Sequence, residues 1–586
     1  MLAVGLALVV MVAWNQFFTT PPPKKPAPGT PAAAAPAAVV PARSSVGVRL
    51  DGSTPAKVSE LAGESPTLSL KFPTFVVTFS EADGAIVSWK LLGEKYQHDA
   101  SHGELVGPGR GLLLVNFARS SYVIPPGATW KGEQISTTQV KYSYRSDVLE
   151  VVKTFSVHPE TYAVTLVVEA SARGSQDVQQ RLAVTSFGFQ DPKVKVKDSA
   201  GSEHPRVFLS TTLANGELTA TTYAGIVAAP RGTAQMQWTG FEHPYLLIAM
   251  AANPKMQAEK FTSATSTAGL VQTDVLFPMT AMRAGQPPVR HELVMYAGPK
   301  YYEALEAADK SAGFSTGFKE SVDLGWFKVI GRPLLSLLQF LYGLVGNWGI
   351  AIVLLTVLVK AATLYWTTKS MRSMKAMAAL GPKMKELQAK YADDRAKLQQ
   401  ETMALYKHNG VNPLAGCLPI FLQMPIWIAL YRMLSSASEL YLQPFIPGWI
   451  ADLTARDPFY ILPVVVTGTM FLQTKLQPAT GDSTQQKIML YGMPLMFGAM
   501  GLFFPAGLTL YMFTNTVLSA LHSVYMNKFD KKSLEIAAKL QGTGTPAPTS
   551  AAAGNASPEA SASQTDATPQ SKETAAARNG KKKRRR

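Results

Sequence analysis

The residue that most needs a chemical explanation is Lys360. It is the twelfth residue of GIAIVLLTVLVKAATLYW, a run at 349–366 that is apolar enough to cross a membrane and contains no acid. An ammonium group in hydrocarbon costs about 2.5–3.5 kcal/mol on insertion scales, so it must be hydrated, paired or able to reach the headgroups. Counted from Asn347 at the rise of an α-helix, Lys360 lies about 20 Å along, past the middle of a bilayer. Two readings compete: its four methylenes carry the charge out to the nearer interface, or it faces a water-containing cavity. Thr356 one turn earlier, Gln423, and the pair Thr514 and Asn515 all interrupt apolar runs. Any one of them could be a simple interhelical hydrogen bond, but together they predict a polar interior. No comparable set points to catalysis. There is no H-E-x-x-H, no P-loop and no cysteine cluster, so neither a metal nor a cofactor is expected. GFSTG at 313–317 matches the nucleophile elbow of serine hydrolases, but a polar, helix-like segment precedes it where that elbow needs a strand. A catalytic Ser315 is not expected.

The elements that would hold these residues follow from where the apolar residues bunch. They make up 47% of 586 residues and concentrate in long runs, which indicates a polytopic membrane protein. The first, MLAVGLALVVMVAWNQFF, lacks a basic leader and a small-residue cleavage site, so residues 1–19 read as a permanent anchor rather than an export signal. Residues 20–58 are rich in Pro, Ala and Ser and read as an extended tether. From 59 to 312 the alternating β-branched and aromatic segments, such as LEVVKTFSV and YAVTLVVEAS, predict an antiparallel β-sandwich. Residues 320–345, with Lys328 and Arg332 among apolar residues at helical spacing, predict an interfacial amphipathic helix. The break at Gly346 to Gly349 starts the first core span, 347–367. Further spans are expected at 413–435, 458–474, 488–504 and 505–526, the last two divided at Pro505 and Gly507. That gives six spans, five of them in a core over 346–527. Between the first two core spans, 369–411 predicts a hairpin of two antiparallel helices turning at YADDR. Cys417, the single cysteine, falls in an apolar run and excludes an internal disulfide.

Orientation follows from charge. The net +16 could suggest nucleic acid, but the basic residues gather beside apolar runs and in the terminal KKKRRR. The hairpin segment carries nine Lys and Arg, from Lys369 to Lys407, against Arg456 alone in 436–458. The hairpin is therefore expected in the cytoplasm, with both termini, and the β domain on the far side. Methionines 371, 374, 377 and 384 share a helix face, which suits packing or the docking of hydrophobic guests. The tail from 528 to 586 reads as disordered and basic, with anionic lipid or RNA as candidate contacts.

GNWGIAIVLLTVLVKAATLYW, MALYKHNGVNPLAGCLPIFLQMPIWIALYRML, DPFYILPVVVTGTMF and QQKIMLYGMPLMF with FFPAGLTLYM resemble the core of the YidC/Oxa1/Alb3 membrane protein insertases. The β domain is similar to that of the Gram-negative bacterial form. The resemblance covers about 1–535 and implies a monomeric insertase and chaperone of the inner membrane, working alone or with the Sec translocon and its accessory subunits. It implies a hydrophilic groove open to the cytoplasm, with Lys360 at the position of a groove cation that is usually arginine, and with Gln423, Thr356, Thr514 and Asn515 lining it. It also implies an apolar slide for the substrate helix, placed here on Met424, Pro425, Trp427, Phe497 and Phe503. Nascent membrane proteins would be the substrates, and the ribosome a partner through the hairpin and tail. The rival from another class is a secondary transporter using Lys360 as a substrate or proton site, though no internal repeat supports it.

Overall fold

The computed structural model describes residues 65–542, apart from 98–102, 107–110, 119, 126, 175–176, 191–207, 229–230, 234–235, 266, 323, 325–327, 413–417 and 478–486. The expected anchor, the tether, Cys417 and the tail beyond 542 lie outside the described residues.

Period-2 patterning builds the first half of the chain. In the strand Leu149–His158 inward and outward residues alternate without exception, as expected where one face of a sheet covers a core. It pairs with Gln139–Arg145 on one side and Ala163–Ala172 on the other, and all strand pairs described are antiparallel. The result is a nine-stranded sheet and a five-stranded sheet, with smaller sheets of three and two strands. Phe155 and Met250 of the larger sheet share one core with Val184 and Val275 of the five-stranded sheet, so the two form a sandwich. Trp89 stacks on Phe75 at 4.5 Å within that core.

Strict alternation also carries a charge inward. Lys153 is the fifth residue of its strand, so it falls on the buried face and is 0% exposed. Its Nζ donates to the Asp83 carbonyl at 2.6 Å and lies 4.2 Å from the centre of the Trp130 ring. Burial pushes this ammonium down to about 7, and the nearby Asp83 charge only partly opposes that.

Helical periodicity takes over after the last strand. Helix α1 (Tyr302–Ala312) ends in Gly313 with φ 70°. Helix α2 (Lys328–Val345) ends at Gly346, whose φ of 68° suits a residue without Cβ, and Asn347 then caps α3 (Trp348–Ala379) by accepting from Ile350 N at 3.1 Å. The hairpin is α4 (Gly381–Lys390) and α5 (Arg395–His408). Then come α6 (Leu418–Ser436), α7 (Ile461–Leu476), α8 (Ile488–Gly501, opening in a π turn), α9 (Ala506–Lys528) and α10 (Lys531–Gly542). Leu338, Ile352, Leu355, Met433, Val466 and Tyr511 meet in one core, which α2, α3, α6, α7 and α9 therefore share. Gly498 lets α8 approach α7 closely, since a Cβ there would sit 2.0 Å from Thr467 Oγ1.

Two expectations change. The first core helix does not stop near 367, because SMRSMKAMAA continues in strong helix formers with no Gly or Pro until Gly381. The helix is therefore about 48 Å long, well beyond a hydrocarbon core, and the hairpin begins at 381 rather than 369. The tail expected to be disordered from 528 instead starts with α10, because Asp530 caps it through Ser533 N at 3.1 Å. Among the described residues, α2 and α3 are long and apolar enough to cross a membrane; α7 and α8 are apolar but shorter. Val357, Leu358 and Trp366 of α3, Val464 of α7, Leu495 of α8 and Leu521 of α9 all point outward and are exposed. So large an outward apolar surface suits lipid, not water.

The β domain is tied to the helices. Lys95 Nζ donates to Tyr301 OH at 2.8 Å and to the Ser438 carbonyl at 3.3 Å, and Ser438 Oγ donates to the Tyr245 carbonyl at 3.0 Å. Tyr245 stacks on Tyr441 at 4.8 Å, and Gln339 of α2 donates to Glu439 at 2.9 Å. The loop after α6 is thereby held by both halves of the molecule.

Because the folded lysine binds its proton more weakly than the unfolded one, the unfolded chain holds more protons above the folded value. Stability then rises with pH. Chemical denaturation of the detergent-solubilised protein, followed by tryptophan fluorescence, should show β-domain unfolding free energy rising by about 1 kcal/mol per unit from about pH 7 to about pH 10. Lys153→Met should flatten that slope; equal slopes in both proteins would contradict the account.

Candidate functional site

Helices α3 and α9 pack side by side and bring their polar residues together. Lys360 Nζ donates to Ser519 Oγ at 2.6 Å and to Asn515 Oδ1 at 3.3 Å, and Gln423 Nε2 of α6 reaches the same Asn515 oxygen at 3.4 Å. Ser519 Oγ in turn donates to the Asn515 carbonyl at 2.7 Å, which aims its lone pairs at the ammonium. The cation thus sits among neutral hydrogen-bond groups from three helices, and no carboxylate is paired with it among the described residues. Such a site leaves the positive charge uncompensated and attractive to an anion. Lys360, Asn515, Gln423 and Ser519 are all half-buried, so the cluster borders accessible space.

Thr356 and Thr514 are not part of it. Both are buried, and their hydroxyls donate to carbonyls four residues back in their own helices, Ile352 at 2.7 Å and Leu510 at 2.9 Å. This is the usual way a helix absorbs a threonine. Ser519 was missed by sequence reasoning, although its position four residues after Asn515 puts both on one face of α9.

The expected slide residues divide. Met424 and Pro425 are half-buried beside Gln423. Trp427 stacks on Tyr431 at 5.9 Å, and both Trp427 and Phe497 pack against the helical core. Phe503, at 49% exposure, lies past the end of α8, where the Arg456 guanidinium stands 5.5 Å over its ring. Ser315 is exposed in the loop after α1. Its neighbour Thr316 is the buried one, donating to Asp309, so no nucleophile elbow exists.

Further along α3 the contacts become ionic. Arg372 makes two bonds to Asp530, at 2.8 and 2.9 Å, between residues 158 apart in sequence, and Lys375 Nζ donates to the Met526 carbonyl. The paired guanidinium holds the Asp530 carboxyl well below the usual carboxylate range. This clamp joins the extension of α3 to the start of α10.

A family model described as 60Kd inner membrane protein matches residues 340–533, and one described as YidC periplasmic domain matches residues 67–337. The membrane protein insertase YidC of Syntrophus aciditrophicus is 33% identical over 558 residues, which is 90% of this chain and 99% of that protein. That of Anaeromyxobacter sp. strain K is 33% identical over 483 residues, 79% of this chain and 85% of the relative. A crystal structure of an active YidC insertase aligns with 80% of this chain and 96% of its own at 19% identity, with a TM-score of 0.34, too low for a comparison of geometry.

Arg372→Ala should release α10 from α3. In hydrogen exchange the amides of 531–538 should lose about tenfold or more of their protection, while those of 348–360 stay unchanged. Unaltered exchange in α10 would mean that the clamp does not hold it.

Proposed function

The chain belongs to the YidC family of membrane protein insertases, and on that premise we propose that it carries the polar tails of nascent membrane proteins partway across the bilayer through a groove centred on Lys360. One observation carries this reading: a half-buried ammonium on α3 that has no carboxylate partner among the described residues and donates to Ser519 and Asn515 of α9, with Gln423 of α6 bonded to the same Asn515 oxygen. Moving a polar tail through about 30 Å of hydrocarbon is prohibitive, and a hydrated recess reaching partway shortens the dry distance. The cation draws an acidic tail inward. Burial of the apolar substrate segment in lipid then supplies the driving force, so no nucleotide is needed.

In this reading the core comprises five spans near 347–367, 413–435, 458–474, 488–504 and 505–526, and a sixth lies at 1–19. The groove opens toward the cytoplasm, where the basic hairpin and both termini lie, and the β domain is periplasmic. Met424 and Pro425, next to Gln423, begin an apolar path for the substrate helix toward Phe503. Trp427 and Phe497 form the wall behind it. The hairpin is suited to ribosomes or anionic lipid by its charge, and the Sec translocon is a partner on the strength of the family alone, with a monomer as the working unit. A transporter reading finds no support in the family matches.

The test is insertion into vesicles reconstituted with the purified protein. Lys360→Ala should lower insertion of a single-span substrate with an acidic tail by about fivefold, or about 1 kcal/mol, while Lys360→Arg preserves it. Equal insertion by all three proteins would overturn the role of the groove charge.

A further inference from the structure

The groove residues on α9 continue past Ser519. His522 lies three residues on, about 4.5 Å further along the helix axis, and Asn515, Ser519 and His522 share one face at the spacing i, i+4, i+7. The imidazole is half-buried, and its Nε2 lies 3.1 Å from Thr368 Oγ1, a hydrogen bond that ties α9 to α3 two turns beyond Lys360. The bond orients the ring toward α3, and the threonine oxygen can accept from Nε2 in the charged form.

We propose that His522 is a second, pH-dependent contact for acidic substrate tails, standing between Lys360 and the cytoplasmic mouth of the groove. The inference rests on the groove reading given above and names a specificity residue for it.

Its charged neighbours support this. The charges acting on His522 are Lys360 from α3 and Asp530 from the α9–α10 junction. The Asp530 carboxylate is already held by Arg372 through two bonds, and Lys375 is bonded to the Met526 carbonyl. From α7, Lys475 lies over the Phe471 ring at 4.7 Å. On α10, Lys531, Lys532 and Glu535 are exposed. No carboxylate is therefore left over, among these groups, to neutralise a protonated His522 together with Lys360. Lys360 and a protonated His522 repel each other, and an incoming carboxylate between them relieves that repulsion. Half-burial and the neighbouring Lys360 oppose a charge on the His522 ring, and an incoming carboxylate supplies the counter-charge that favours it; substrate Asp and Glu stay ionised in the range where imidazole titrates. Preference for acidic tails should therefore strengthen as the cytoplasmic-side pH falls.

The experiment compares one single-span substrate carrying an acidic tail with its Asn/Gln counterpart, in vesicles holding wild-type protein, His522→Gln or His522→Arg, at about pH 6 and about pH 8. The ratio of acidic-tail to neutral-tail insertion should be about threefold higher at the lower pH in the wild type, independent of pH in His522→Gln, and high at both pH values in His522→Arg. A flat wild-type ratio overturns the proposal. So does a pH change that persists in His522→Gln, which would belong to Lys360, since a desolvated lysine can also lose its proton. If His522→Gln inserts neither substrate, His522→Arg decides: loss of the pH dependence supports the assignment and its retention overturns it. Lys360→Ala, run alongside, separates the two levels. Unimpaired insertion of the acidic tail by that variant defeats the groove reading, whereas a defect there with wild-type behaviour in both His522 variants defeats only the role of His522.

Discussion

An ammonium held by neutral partners is the constraint around which the helical half of this protein is organised. Among the described residues Lys360 has no carboxylate beside it; its partners are Ser519, Asn515 and, through Asn515, Gln423. A buried ion pair would have satisfied the charge and silenced it. Hydroxyl and amide oxygens orient the ammonium yet leave its field directed at whatever enters. Three helices must keep their register to within a hydrogen bond's length for this to work, which gives a reason for the close packing of α3 on α9 and for the small residues, such as Gly498, that allow near approach elsewhere in the bundle.

The surroundings of that site are fixed at both ends. On the β-domain side, Lys95, Ser438 and the Tyr245–Tyr441 stack hold the loop that follows α6, the helix that carries Gln423. On the other side, the Arg372–Asp530 clamp joins the long extension of α3 to α10. Between these anchors the helices turn many apolar side chains outward and a short polar seam inward. An insertase has use for that contrast: rigid where it must hold a charge, and greasy where its guest must leave.

Much of this was legible in the sequence because it depends on local periodicity. Alternation in LEVVKTFSVH gives the strand and its buried face, and Gly346 with Asn347 marks the reversal between α2 and α3. Lys360, Gln423 and Asn515 stand out because each is polar in an apolar run. Thr356 and Thr514 stand out for the same reason and mislead, since a threonine can satisfy itself on its own helix. Ser519 was hidden because a serine among apolar residues looks unremarkable until its register with Asn515 is counted. The C-terminal end of α3 and the start of α10 were misjudged on opposite grounds. A change from apolar to basic composition does not end a helix, and a pairing such as Arg372 with Asp530 has no signature that a single chain read in order can reveal.

The central claim is that water reaches the cluster around Lys360 from one side of the membrane. Its most direct test places a cysteine at Ser519 in a Cys417→Ser background and exposes vesicles of each orientation to a membrane-impermeant maleimide. Labelling from the cytoplasmic side alone is the expected result. A thiol that stays unreactive in both orientations, yet reacts fully once the protein is denatured, would contradict the account.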